Sequence, residues 1–193
     1  MDNDVSTERS AINPHLGLRD ATAPWHASTE RAFEQFDLRH REGYVAFLLA
    51  QAGALLPLED AVQQNGIDRF IADWGVRRRG NFVLADLERL GVPRERIPVC
   101  RLPDASYDPL AIAYVLEGSR HGARVLLRRM LTGDPALANA TMFLGQPFQA
   151  KQWTIFLDIL RQNRGQPDQQ AHLQETGIAG FRLFTQSAEM VAG

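Results

Sequence analysis

Tyr114-Val115-Leu116-Glu117-Gly118-Ser119-Arg120-His121-Gly122-Ala123-Arg124-Val125-Leu126-Leu127-Arg128-Arg129 repeats its apolar residues at helical spacing, yet it holds two glycines four residues apart. Each glycine inside a helix costs about 1 kcal/mol relative to alanine, so the pair implies a use. Residues four apart share a stripe. Gly118 with Gly122, and Ser119 with Ala123 beside them, make a smooth patch on which nothing projects beyond a hydroxymethyl group. A planar ligand or a crossing helix can approach the backbone there, and packing is the commoner use of such glycines. Arg120, Arg124 and Arg128 repeat at the same interval on another face, the pattern of a solvated, salt-bridged surface.

The helical period continues outward in both directions. Trp25, Phe33 and Phe36, then Tyr44, Phe47, Leu48, Leu55 and Leu58, then Phe70, Ile71 and Trp74 recur at that spacing, and strand-like alternation is scarce. Breaks fall at 37–38, 65–66, 91–93, 103–106, 132–135, 145–147 and 165–167, each rich in glycine, proline or aspartate. Helices are therefore expected near 15–35, 39–63, 67–90, 107–131, 135–142, 147–164 and 167–190. The fold class is all-α, a single-domain multi-helical bundle over 14–193 behind a flexible tail at 1–13. Pro24 implies either a kink in the first helix or a start near Thr22.

With 193 residues the chain has room for one sizeable core. A formal net charge of −2 gives no global basic field, so nucleic acid and anionic membranes are poor partners. The single cysteine, Cys100, excludes an intrachain disulfide and any multi-cysteine metal site. The N-terminus shows no basic and apolar leader pattern, and the most apolar run, 44–58, is shorter than a membrane span. A cytoplasmic location is expected.

A second stretch carries candidate chemistry: Leu18-Arg19-Asp20-Ala21-Thr22-Ala23-Pro24-Trp25-His26-Ala27-Ser28-Thr29-Glu30. Alone, His26 reads as a hydrogen-bonded structural histidine more readily than as a metal ligand. Glu30 lies one turn on, where a carboxylate fixes an imidazole's orientation or simply decorates a helix surface. Arg19 is either a carboxylate partner or a surface arginine.

The order Arg19, His26, Glu30 and then Gly118-Ser119-x-x-Gly122-Ala123 resembles the heme oxygenase family, in particular its short soluble bacterial members associated with bacterial phytochromes. The resemblance runs from Leu18 to about Phe184. It is carried by Leu18-Arg19-x-Ala21-Thr22-x-x-x-His26-x-x-x-Glu30 and Tyr114-Val115-Leu116-Glu117-Gly118-Ser119, with support from Tyr44, Pro57-Leu58-Glu59, Asp86-Leu87, Leu90-Gly91 and Phe181-x-x-Phe184.

The resemblance implies that heme is both cofactor and substrate, cleaved with O2 and reductant to biliverdin, carbon monoxide and ferrous iron. It casts His26 as the proximal iron ligand, Glu30 and Arg19 as heme-binding residues, and Gly118, Ser119, Gly122 and Ala123 as the distal wall. It also implies an electron donor such as ferredoxin or a flavin reductase, and a bacterial phytochrome as a bilin acceptor. Two departures stand out. Ser119 occupies a position where many members carry an aspartate, and His121 precedes Gly122, where an inward ring would close the oxygen site.

Other functions remain open on the same residues. A non-catalytic heme- or bilin-binding protein keeps the pocket without turnover. A thiaminase-like hydrolase of similar architecture would use Cys100, which sits in an expected loop with no histidine or carboxylate within three residues. A purely structural bundle would use His26 and the glycines for packing.

Overall fold

The computed structural model describes residues 13–103, 106–147, 149–163 and 166–193. All but the last residue of the expected tail, Asp104 and Ala105 in one expected break, Gly165 in another, and Phe148 and Arg164 near the ends of the expected 147–164 helix lie outside the described residues. Every regular element among the described residues is helical: α1 (Pro14–Glu34), α2 (Arg41–Gln64), α3 (Trp74–Arg77), α4 (Gly80–Arg89), α5 (Pro109–Gly118), α6 (Ala123–Leu131), α7 (Ala150–Gln162) and α8 (Pro167–Ala192), joined in places by short 3-10 turns.

Asn13 starts α1 by accepting the His15 backbone N–H on its side chain at 3.1 Å, with Pro14 in the first helical position where a missing N–H goes unnoticed. The helix then runs through Pro24 to Glu34, so the start expected near Thr22 is not used. The central element, α2, is buried along most of its length and packs against α8, α4 and α5. It extends beyond the apolar run read from the sequence. It is also the one helix among the described residues long and apolar enough to cross a membrane, and most of that apolar stretch is enclosed by the bundle.

Three expected helices are corrected. The 67–90 span becomes a 3-10 turn at Ile67–Arg69, then α3, then α4. The reason is Glu59 of α2, whose buried carboxylate accepts the Arg79 N–H at 2.5 Å and the Gly80 N–H at 3.2 Å. It caps α4 from a neighbouring helix, and a helix that starts there cannot continue one from upstream. The 107–131 span is divided between α5 and α6, and the 135–142 span is a 3-10 turn at Pro135–Asn139.

α8 is the scaffold for the rest. α1, α2 and α5 all pack along it, and α7 touches both α1 and α5.

Candidate functional site

α1 lies on α8 through small and polar side chains. A Cβ at Gly177 would stand 2.7 Å from Leu18 Cδ1 and 3.1 Å from Thr22 Cγ2, so glycine sets how closely α1 seats. One turn further, the His26 ring meets the Phe181 ring edge-on, with centroids 5.5 Å apart. Thr29 then donates to the Phe181 carbonyl at 3.1 Å and shares a hydrogen bond with the Thr185 hydroxyl at 2.9 Å. α5 seats on the adjoining stripe, where a Cβ at Gly180 would lie 3.3 Å from Val115 Cγ2. Because Gly180 and Phe181 are neighbours, His26 and Val115 stand at one level on α8, with Gly118 one turn beyond Val115. α1 and α5 share α7 and α8 as neighbours and do not pack along each other.

The His26 side chain is 56% exposed, with Nδ1 3.5 Å from Glu30 Oε2. That arrangement commits Nδ1 and leaves Nε2 available as a donor atom for a ligand. Arg19 is also exposed and directs Nε and Nη2 at a single oxygen of Asp20, at 2.9 and 2.8 Å. Around it α1 meets an aromatic ledge. The His15 ring lies 6.0 Å from that of Tyr114, Tyr114 lies 5.7 Å from Trp153, and Trp153 lies 5.6 Å from Phe156. Burial and then the cations of Arg161 and Arg19 hold the His15 imidazole below its ordinary pKa, and burial pushes the Tyr114 phenol up.

The glycine patch differs from the single helical stripe expected. α5 ends at Gly118 and α6 begins at Ala123, so Ser119, Arg120, His121 and Gly122 form the turn between them. The patch is nonetheless bare. A Cβ at Gly118 would touch only Trp153 Cη2, at 3.9 Å, and one at Gly122 would meet nothing within 4 Å. Ala123 is buried at the start of α6.

Ser119 has no spare donor: its hydroxyl gives its hydrogen to the Leu116 carbonyl at 2.7 Å and accepts from Arg79 Nη2 at 2.5 Å. Arg79 reaches Leu116 O as well, at 3.0 Å, and lies over the Phe143 ring at 5.1 Å. Burial pushes its guanidinium down to about 10, so it stays charged at neutral pH. A cation at the carboxyl end of α5 also meets the negative end of the helix dipole. His121 is exposed, with Nδ1 2.9 Å from the Gly118 carbonyl and its ring edge-on to Trp153 at 4.9 Å.

Arg120 corrects the surface-stripe reading. Its side chain turns inward, Nε lying 3.2 Å from Glu117 Oε1 while Nη2 donates to the Arg77 carbonyl. Arg124 and Arg128 are the exposed members of that series.

Arg79 went unnoticed in the sequence because Arg77-Arg78-Arg79 reads as a polar surface run, and only the tertiary structure buries the first and last of the three. Gly177 and Gly180 carried a visible signal, two small residues three apart in a long helix. Cys100 is buried 3.8 Å from Met190 Sδ, and burial raises its thiol pKa, which disfavours the thiolate a nucleophile needs. Two surface hollows that share Leu84 and Arg94, between α2, α4 and the 91–100 segment, include none of the site residues.

No family model and no curated protein sequence matches the chain. Among solved structures it is similar to the NO- and CO-bound heme oxygenase from Neisseria meningitidis, with a TM-score of 0.75 and 19% sequence identity, over 94% of this chain and 92% of that one. At that identity the likeness establishes the fold, and the fold of this chain is the all-α heme oxygenase-like bundle.

Proposed function

We propose that the chain binds heme between α1 and the α5–α6 turn and opens the ring, with O2 and external reductant, to biliverdin, carbon monoxide and ferrous iron. The observation that carries this reading is His26, an exposed imidazole whose Nδ1 faces Glu30 and whose ring rests on Phe181 of α8, the helix whose next residue back, Gly180, seats Val115 one turn before the bare Gly118–Gly122 turn. Among the described residues no group of three or more His, Cys, Asp or Glu side chains could hold a metal ion. A single imidazole binds iron well when the iron arrives with its in-plane positions already filled, as in a porphyrin.

The residues fit such a group. His26 Nε2 would hold the iron, and Glu30 would keep the Nδ1–H side of the ring turned away from it. Arg19 exchanges the single oxygen of Asp20 for a propionate, which a guanidinium meets with two parallel hydrogen bonds. Heme, once bound, supplies the redox chemistry and is itself the substrate. On the far side, Gly118 and Gly122 leave the ring edge unobstructed. Ser119 is not a proton source, since its hydrogen is given to Leu116 O. Electrons come from a separate donor, a ferredoxin or a flavin reductase, and the bilin product suits a bacterial phytochrome as acceptor.

The test is reconstitution with hemin followed by reductant and air. Hemin should give a Soret band that His26→Ala shifts and weakens, and turnover should replace it with bilin absorbance. A wild-type Soret band identical to that of His26→Ala would refute the assignment.

His121 supports a second reading, a heme- or bilin-binding protein without turnover. Its imidazole stands in the same turn, against Gly118 O and Trp153, where rotation would offer iron a second axial nitrogen. A low-spin bis-imidazole spectrum that His121→Ala converts to high spin, with no bilin formed, would establish it.

A further inference from the structure

We propose that the first turn of α7 is a gate over the candidate site, with Trp153 as its stopper. Among the described residues Trp153 is the one neighbour that a side chain at Gly118 would meet, its Cη2 standing 3.9 Å from the place of a Cβ. Its ring is edge-on to His121 at 4.9 Å and tilted against Tyr114 at 5.7 Å, so a single indole spans the carboxyl end of α5 and the turn after it. A planar ligand resting on Gly118 needs that same face. Indole and macrocycle cannot both lie on it, and the ligand enters only when the indole leaves. The inference rests on the heme reading for the ligand, and on the ring contacts alone for the cover.

The two ends of α7 are held unequally. Phe156 and Leu160 are fully buried and fix its middle and its carboxyl half. The first turn has none of the usual supports. Gln149, the N-cap residue, makes no side-chain hydrogen bond to the helix, and no acid stands in the first turn to meet the positive end of the dipole. Lys151 sets a like charge against that end, and Gln149, Ala150 and Lys151 are all exposed.

Trp153 is attached to this weak turn. Its N–H donates to the Gln149 carbonyl at 3.2 Å, the bond that closes the first turn. Unwinding that turn breaks the bond and frees the indole while Phe156 and Leu160 stay seated, so the rest of the bundle need not open. The contacts of the indole hold the gate shut, and the missing cap lets it open. Arrival of the ligand is then paced by the unwinding and not by collision alone.

The experiment uses the full chain in two measurements. Without heme, amide hydrogen exchange at 118–122 is compared among wild type, Trp153→Ala and Gln149→Ser. Exchange there should be faster by roughly tenfold in Trp153→Ala, with α8 unchanged. In Gln149→Ser, whose hydroxyl caps the first turn, it should be several-fold slower. Ferrous heme carrying carbon monoxide is then mixed with each chain in a stopped-flow instrument and followed at the Soret band. The wild-type association rate should level off as heme concentration rises. Trp153→Ala should lift that ceiling by roughly tenfold or more, and Gln149→Ser should lower it several-fold.

Exchange at 118–122 that ignores both substitutions would overturn the proposal. So would a wild-type association rate that climbs in proportion to heme and is matched by Trp153→Ala. Should Trp153→Ala fail to fold, Gln149→Ser, at the exposed end of the helix, decides the matter in both measurements. If heme binds to none of the three chains while the exchange differences appear, the heme reading fails and the cover over Gly118 stands.

Discussion

Arg79 holds the α5–α6 turn in shape without standing in the open part of the site. One nitrogen serves two acceptors, Leu116 O and Ser119 Oγ, at the point where α5 runs out of its own hydrogen bonds. Hydrogen bonds to a buried charge each contribute about 1.5–3 kcal/mol, and a buried cation left short of an acceptor is penalised on a similar scale. Ser119→Ala should therefore lower stability by about 1–3 kcal/mol in denaturant titration. Arg79→Met removes the clamp itself. It should lower amide-exchange protection at 119–123 more than along α8, and weaken hemin binding while leaving His26 able to ligate. Uniform loss of protection across the bundle, with hemin affinity intact, would reduce Arg79 to an ordinary core residue. The choice of serine at 119 follows from this geometry: a hydroxyl can donate to Leu116 O and accept from Arg79 at once, which a carboxylate cannot do.

The α5–α6 turn makes opposite predictions for its two glycines. At Gly122 a methyl group meets nothing, and the backbone there is an ordinary right-handed conformation. Gly122→Ala should keep or raise stability, by up to about 1 kcal/mol, through reduced freedom of the unfolded chain. Gly118→Leu must place its branched end against Trp153 and in the space beside it, so the apo protein should fold and hemin affinity should fall sharply. A Gly118→Leu protein that binds hemin like wild type would show that the ligand lies elsewhere.

The element scale also shows what the chain made legible. Capped or proline-marked ends such as Asn13-Pro14, Asp108-Pro109 and Gln166-Pro167 are local events, and helices start where those residues stand. The break inside 67–90 depends on Glu59, distant in sequence, so no local pattern announced it. Likewise the spacing of Gly118 and Gly122 suggested a helical stripe, whereas Arg79 and Glu117, holding Ser119 and Arg120, turn the same residues into a link between two helices. The candidate ligand was readable through the resemblance carried by the motif around it, since His26 alone reads more readily as a structural histidine. Its supports, Phe181 beneath the ring and Gly177 and Gly180 beneath the two helices, required the packing to be known.

At the scale of the whole molecule, α1 and α5 meet directly where the His15 ring lies against Tyr114, and otherwise share neighbours, α8 beneath both and α7 along one side. A ligand bonded to His26 and resting on the α5–α6 turn would supply a second direct link, and its binding free energy would add to the stability of the fold. Linkage fixes the size of the effect: free hemin at 100 times its dissociation constant stabilises by about 2.7 kcal/mol. In a domain of this length each kcal/mol moves the midpoint by about 2–4 °C, so hemin should raise Tm by roughly 5–10 °C. The gain should be smaller in His26→Ala and should grow with the logarithm of hemin concentration. Zinc protoporphyrin, which also accepts one axial imidazole, should reproduce most of the rise, because the effect depends on bridging two helices and not on redox chemistry. Metal-free protoporphyrin keeps the ring and the propionates but lacks the axial bond, and it should fall well short. Equal stabilisation by all three would mean that the ring binds through its apolar faces alone, and the bond between α1 and the ligand on which the proposed chemistry depends would be absent.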